Sequence, residues 1–171
     1  MEVAKVLISE EEIAAKLAEM GKQISADYAN EDLLMVGVLK GAFIVMADLA
    51  RHVDLPVEFD FMAVSSYGAA TQTSGVVRIL KDLDQEIAGR NVLIVEDIID
   101  SGLTLSYLMK SLRVRRPKSL EVATLLLKKD IQRVPIDTKY VGFEIGPEFV
   151  VGYGLDYAGK YRNLPYVGLM E

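Results

Sequence analysis

Apolar residues recur along this chain at two spacings, and each spacing predicts a kind of element. Ile13, Leu17, Met20 and Ile24 fall three or four apart, so residues 10–28 are expected to form an amphipathic helix. Ser9 followed by Glu12 has the form of a capping box at its start. Leu33–Leu39 is a continuous apolar run, the pattern of a strand buried on both faces of a parallel sheet. Lys40–Gly41 breaks it, and Ala42–His52 returns to helical spacing. Val57–Ser65 alternates like a strand, and the small polar residues Ser66–Ser74 read as a loop. Val76–Leu80, Val92–Val95 and Leu120–Leu127 are expected strands. Thr104–Val114 is an expected helix, ended ahead of Pro117, which cannot continue one. Lys139–Ile145, Phe149–Tyr153 and Tyr166–Leu169 are further short strands, separated by Gly and Pro signals. Strands alternating with helices imply an α/β fold on a mostly parallel sheet. No repeat or linker interrupts it, so residues 1–171 are read as a single domain.

Composition narrows the chemistry more than the fold. With 171 residues, 51% of them hydrophobic, the chain can bury roughly two-thirds of its unfolded surface. It has no cysteine, which excludes disulfides, thiolate zinc sites and iron–sulfur clusters. Its one histidine, His52, excludes a multi-histidine metal site. A net charge of −6 argues against nucleic acid or an anionic membrane as partner. The N-terminal residues lack the apolar core of a secretory signal. No apolar run approaches the ~20 residues of a membrane span. The cytoplasm is the expected compartment.

The stretch Val92–Thr104, VLIVEDIIDSGLT, carries the candidate chemistry. An apolar strand runs into Glu96–Asp97, and Asp100–Ser101–Gly102–Leu103–Thr104 then opens a helix. Ligands of open α/β sheets bind at the carboxyl ends of strands. A glycine-containing turn at a helix N-terminus presents amide donors that suit a phosphate, and Ser101 and Thr104 can add hydroxyls. Carboxylates beside such a cradle make sense if they face sugar hydroxyls or a hard cation. The plainer reading is that Asp97, Asp100 and Ser101 only cap the helix. One cap does not account for three carboxylates and two hydroxyls within nine positions.

This stretch resembles the phosphoribosyl-diphosphate motif of the type I phosphoribosyltransferases. Val36–Phe43 (VGVLKGAF), Ser65–Tyr67, Ala123–Lys128 (ATLLLK) and Phe149–Arg162 (FVVGYGLDYAGKYR) extend the resemblance in order and spacing over nearly the whole chain, towards the branch that uses 6-oxopurines such as hypoxanthine and guanine. The resemblance implies a central, mostly parallel sheet flanked by helices, with a small hood built from chain-terminal segments. It implies transfer of a phosphoribosyl group from 5-phosphoribosyl 1-diphosphate to the base, releasing pyrophosphate, with Mg2+ as cofactor.

Roles follow by resemblance for each matching position. Asp100 would be the acid/base at purine N7. Glu96 and Asp97 would hold the ribose hydroxyls, directly or through magnesium, and Asp156, grouped also with the purine-site residues, would bind a second magnesium beside the pyrophosphate. Asp100, Ser101, Gly102, Leu103 and Thr104 would cradle the 5′-phosphate. Leu39, Lys40, Gly41 and Arg162 would meet the pyrophosphate, with a cis bond between Leu39 and Lys40 as in some relatives. Phe149 would stack on the purine, Val150 would address its edge by backbone, and Lys128 would donate to O6. Ser66 and Tyr67 would open a closing lid. Leu103 stands where many relatives carry Lys or Arg, so one supplementary charge near the phosphate is missing. The family forms dimers and tetramers, and a homodimer or homotetramer is expected.

Two other readings use the same features. A regulatory protein on this scaffold, sensing nucleotides or RNA, would need a coherent basic face, which a −6 chain supports poorly. A receiver-like domain would need acidic residues after the first strand, where Lys40–Gly41 stands instead.

Overall fold

The computed structural model describes residues 2–66 and 77–171. The elements run β1 (Val3–Ile8), α1 (Glu10–Asp27), β2 (Leu33–Leu39), α2 (Phe43–Ala50), β3 (Glu58–Ser66) and β4 (Val77–Lys81). They continue with β5 (Asn91–Ile99), α3 (Leu103–Arg113), β6 (Ser119–Leu127), a short 3-10 turn at Lys129–Ile131, β7 (Tyr140–Glu144), β8 (Val150–Val151) and β9 (Val167–Met170).

Six strands form one sheet in the order β4-β3-β2-β5-β6-β7, parallel except for β4 at one edge. Side chains of a strand alternate between faces, and here both faces are covered. Leu33 and Met35 of β2, with Leu93 and Val95 of β5, join the core under α1 and α2. Leu34 and Val36, with Val92 and Ile94, pack instead against Leu105, Leu108 and Leu112 of α3. Each fully buried side chain of this kind contributes about 1.5–3 kcal/mol, and burial on both faces is why β2 reads as an unbroken apolar run. The capping box forms as expected: the Glu12 amide donates to Ser9 Oγ and the Ser9 amide to Glu12 Oε1, both at 3.1 Å.

A second sheet, β1-β9-β8, is antiparallel and joins the two ends of the chain as a hood. Its first strand was not legible. Of Val3–Ile8 only Ile8 is buried, so the segment carries no alternation, and its pairing with β9 is what makes it a strand. β5 also runs longer than expected. It keeps pairing with β6 through Glu96, Ile98 and Ile99, so the acidic pair lies inside the strand and not beyond its end. β8 is shorter than expected, at two residues, because the backbone turns at Gly152. In β3 the polar Asp60 is buried while Phe59 is 45% exposed. Asp60 is held by the amides of Asp84 and Gln85 at 3.0 and 3.2 Å. The expected loop beyond Ser66 lies outside the described residues. No helix among the described residues is long and apolar enough to cross a membrane.

The sheet order fixes where a ligand can sit. From β2 the chain moves outward to β3 and β4, and from β5 it moves outward the other way to β6 and β7. The direction reverses between β2 and β5, and the carboxyl ends of such a pair frame a crevice.

Candidate active site

The carboxyl ends of β2 and β5 carry Leu39–Lys40–Gly41 on one side and Glu96–Thr104 on the other. The Leu39–Lys40 peptide bond is cis. Gly41 lies so close to the Asp97 carboxylate that a Cβ there would overlap it. Any larger residue at 41 would have to displace that carboxylate from its place. Asp97 Oδ1 also accepts from the Ile98 amide at 2.7 Å.

Helix α3 takes one long side-chain contact at its start, the Leu103 amide donating to Ser101 Oγ at 3.3 Å. Its N-cap is Gly102, at φ 84°, with no side-chain cap hydrogen bond. That left-handed conformation favours glycine, and a Cβ there would also overlap the Val134 carbonyl. The Ser101 carbonyl accepts from the Arg133 and Val134 amides at 2.8 and 3.1 Å, so the loop after β6 braces the turn from outside. The first turn of a helix leaves amides without intrahelical partners. Here they open on a cleft of about 240 Å³ lined by Val38, Glu96, Ile98, Ile99, Asp100, Ser101, Gly102, Thr104 and Leu105. Its shape and donors suit an anion held by backbone and hydroxyl groups. Leu103 adds no charge to it.

Glu96 and Asp97 keep part of their surface open to the crevice, yet protein surrounds both. Burial pushes the Glu96 carboxyl well above the usual range, and the Asp97 charge pushes it further. Burial likewise pushes Asp97 up to about 6, against the pull of the Ile98 amide and the Arg162 guanidinium. An acid whose folded pKa lies above its unfolded value binds its proton more readily when folded. It therefore costs stability above about pH 6 and ceases to below about pH 4. Asp97→Asn is expected to stabilise the ligand-free protein at neutral pH by on the order of 1–3 kcal/mol. The gain, read as melting temperature, should shrink as the pH falls through that window; a gain independent of pH would contradict the assignment.

Lys128 directly follows β6, beside Asp100, which directly follows β5, with the Lys128 amide on the Ile99 carbonyl at 3.0 Å. Its side chain is 8% exposed and its ammonium stands 4.0 Å from Asp100 Oδ2, which is open to solvent. A buried cation and an exposed carboxylate thus share one edge of the crevice. Phe149 is 46% exposed and meets Tyr157 edge-on at 6.0 Å, leaving a ring face free to stack, whereas Val150 is buried.

Asp156 and Arg162 are paired at 3.4 Å, and Arg162 Nη1 donates to the Gly154 carbonyl at 2.6 Å. Gly154 packs on the Gly41 carbonyl, which brings this pair to the Lys40–Gly41 side. Of the lid residues, Ser66 ends β3 and Tyr67 lies outside the described residues. The Arg133–Val134 brace had no signal in the sequence, since it acts through tertiary contact alone.

Among the described residues no three His, Asp or Glu side chains cluster as a metal cage. Paired or single carboxylates such as Glu96–Asp97 and Asp156 nonetheless fit magnesium, a hard cation that takes few protein oxygens and fills its shell with water and substrate phosphate.

Comparison with known proteins bears on the family and the fold. Residues 7–158 match the family model of the phosphoribosyl transferase domain. A hypoxanthine-guanine phosphoribosyltransferase of Bacillus subtilis is 54% identical over 170 residues, covering 99% of this chain and 94% of its own. One from Mycobacterium avium is 53% identical over 176 residues, covering 99% of this chain and 87% of its own. The crystal structure of a hypoxanthine-guanine phosphoribosyltransferase from Bacillus anthracis superposes with a TM-score of 0.97 at 47% identity, covering 99% of this chain and all of that one.

Proposed function

The chain belongs to the phosphoribosyltransferase family, and from that premise we propose that it salvages 6-oxopurines, converting hypoxanthine or guanine and 5-phosphoribosyl 1-diphosphate to the nucleoside monophosphate and pyrophosphate. The observation that carries the reading is the Lys128–Asp100 pair at the ends of β6 and β5. Purine O6 and N7 lie on one edge of the base, so one cation and one carboxylate side by side can read both. The 5′-phosphate sits on Ser101–Thr104, the ribose hydroxyls on Glu96 and Asp97, and the pyrophosphate against Leu39–Gly41 and Arg162. Carboxylates only accept, which matches hydroxyl donors.

In the reaction, N9 of the base attacks C1′ of the ribose as the bond to pyrophosphate oxygen breaks, and Asp100 takes the N7 proton. Phe149 stacks on the base, and Lys128 donates to O6. Adenine carries an amino group there and leaves that buried donor unpaired, a strong form of discrimination. Glu96, Asp97 and Asp156 would hold magnesium, which when bound offsets the substrate's negative charge.

The test is direct. Incubated with magnesium, 5-phosphoribosyl 1-diphosphate and hypoxanthine, guanine, xanthine or adenine separately, the protein is expected to release pyrophosphate with hypoxanthine and guanine. Chelation should stop release and added magnesium restore it. No release with either base would overturn the reading.

Self-association is part of the proposal. A groove of about 550 Å³ beside the Lys40–Gly41 turn is lined by Phe43, Met46, Ala47, Ala50, Arg51, Phe59 and Phe61, with Phe43 and Phe59 nearly half exposed. Such apolar surface suits a second copy of the chain. Ala47→Arg is expected to shift the protein to monomer in sedimentation; an unchanged size would remove this face from the interface.

A further inference from the structure

Between the base-side loop and the pyrophosphate turn lies a tyrosine with no role in the reaction just described. Tyr153 sits at φ 50°, between Gly152 at 96° and Gly154 at 99°. Three successive left-handed residues suit glycine, and a bulky side chain in the middle is an outlier kept only where its surroundings enforce it. The surroundings do enforce it. The amides of Gly152, Tyr153 and Gly154 donate to Leu155, Leu164 and Arg162 carbonyls at 2.9, 2.8 and 2.9 Å. The Tyr153 ring is 7% exposed, and its hydroxyl donates to Asp48 Oδ2. Burial, then the Asp48 hydrogen bond, pushes the phenol pKa up, so it remains a donor at any working pH. The other Asp48 oxygen faces Arg51 at 3.5 Å.

Asp48 lies on α2, and α2 grows directly out of the pyrophosphate turn. The Phe43 amide donates to the Lys40 carbonyl, and the Ala42 amide to the Val38 carbonyl, both at 3.2 Å. On the other side, Tyr153 is next in chain to Gly154, whose carbonyl holds Arg162 and whose Cα rests on the Gly41 carbonyl. The two halves of the pyrophosphate pocket therefore reach the same hydrogen bond from opposite directions.

We infer that Tyr153 and Asp48 are positioning residues: their hydrogen bond ties the Gly152–Arg162 loop to α2 and holds Arg162 in register with Lys40–Gly41 for the diphosphate. The inference rests on the pyrophosphate roles proposed above. It acts through rigid neighbours and not by touching substrate, and small misplacement of binding groups has large kinetic effects.

The test measures KM for 5-phosphoribosyl 1-diphosphate and for hypoxanthine, with kcat, and KM for pyrophosphate in the reverse reaction. Tyr153→Phe is expected to raise both diphosphate KM values about 3- to 10-fold, less than the full worth of a hydrogen bond to a charged group because only part of that loss reaches the diphosphate through Arg162 and Lys40–Gly41. KM for hypoxanthine should change less than about twofold. Asp48→Asn, which keeps an acceptor, should restore near wild-type values, whereas Asp48→Leu should match Tyr153→Phe. The double variant Tyr153→Phe with Asp48→Leu should be no worse than Asp48→Leu alone. Unchanged diphosphate KM values in Tyr153→Phe would overturn the inference. So would a parallel loss of every parameter with a lowered melting temperature, which marks a merely structural role. If Tyr153→Phe does not fold, Asp48→Leu against Asp48→Asn decides, equal diphosphate KM values overturning it. A wild-type protein that releases no pyrophosphate overturns the function itself, and the clamp with it; an active wild type with insensitive variants overturns the clamp alone.

Discussion

Asp100→Asn is expected to lower turnover with hypoxanthine about 100- to 10,000-fold, the usual contribution of a positioned proton-transfer group. The substitution changes little else. Asp100 is open to solvent, its ion pair with Lys128 is long, at 4.0 Å, and asparagine keeps an oxygen that can face the buried ammonium, so the stability cost should stay on the order of 1 kcal/mol. The phosphate cradle is built from the Ser101–Thr104 backbone and the Gly102 turn, braced by Arg133 and Val134 amides. None of these depends on the Asp100 charge. Nucleotide product should therefore bind the variant almost as it binds the wild type. Single-turnover kinetics beside calorimetric titration with the nucleoside monophosphate separates the two effects. Full turnover in the asparagine variant would remove Asp100 from proton transfer at N7, and joint loss of turnover and binding would make it a part of the cradle instead.

The second large effect concerns choice of base. Lys128→Met keeps the length of the stem and removes the ammonium. For hypoxanthine and guanine kcat/KM is expected to fall about 10- to 100-fold, the equivalent of one hydrogen bond to a charged donor. Whatever residual rate adenine has should not fall with it, because adenine offers no O6 acceptor. The ratio of the two rates is thus the diagnostic quantity. Stability should hold or rise, since a buried cation is exchanged for an apolar chain of similar shape. An equal fall with every base would show that Lys128 orders the site in general and does not read O6.

The legible part of this protein is the part in which local chemistry and final structure agree. The capping box at Ser9 and Glu12 and the heptad-like spacing of Ile13 to Ile24 mark α1 because a helix brings those positions onto one face. The apolar run of β2 marks a central strand because its two faces meet two different cores. The Val92–Thr104 motif was legible for a similar reason: strand, carboxylates, glycine turn and helix start are consecutive. Gly102 alone signalled the left-handed turn that the structure contains. Strand β1 gave no such sign, with a single buried residue, Ile8, at its end. Nor did the position of Glu96 and Asp97 within β5, which depends on how far β6 continues beside it.

What the amino-acid sequence determined by itself is the inventory and its local order: which segments other than β1 are strands or helices, where the phosphate-binding turn begins, and which side chains could accept, donate or carry charge. Only the tertiary structure decided which of these meet. Lys128 stands beside Asp100 because β6 lies next to β5, and Gly41 touches Asp97 because β2 lies on the other side of β5. Arg162 reaches the same crevice because Gly154 packs on Gly41. The physical reason is that these contacts join residues tens of positions apart. No local propensity encodes such a pairing; burial on both faces of the sheet selects the strand order, and the strand order brings the site together.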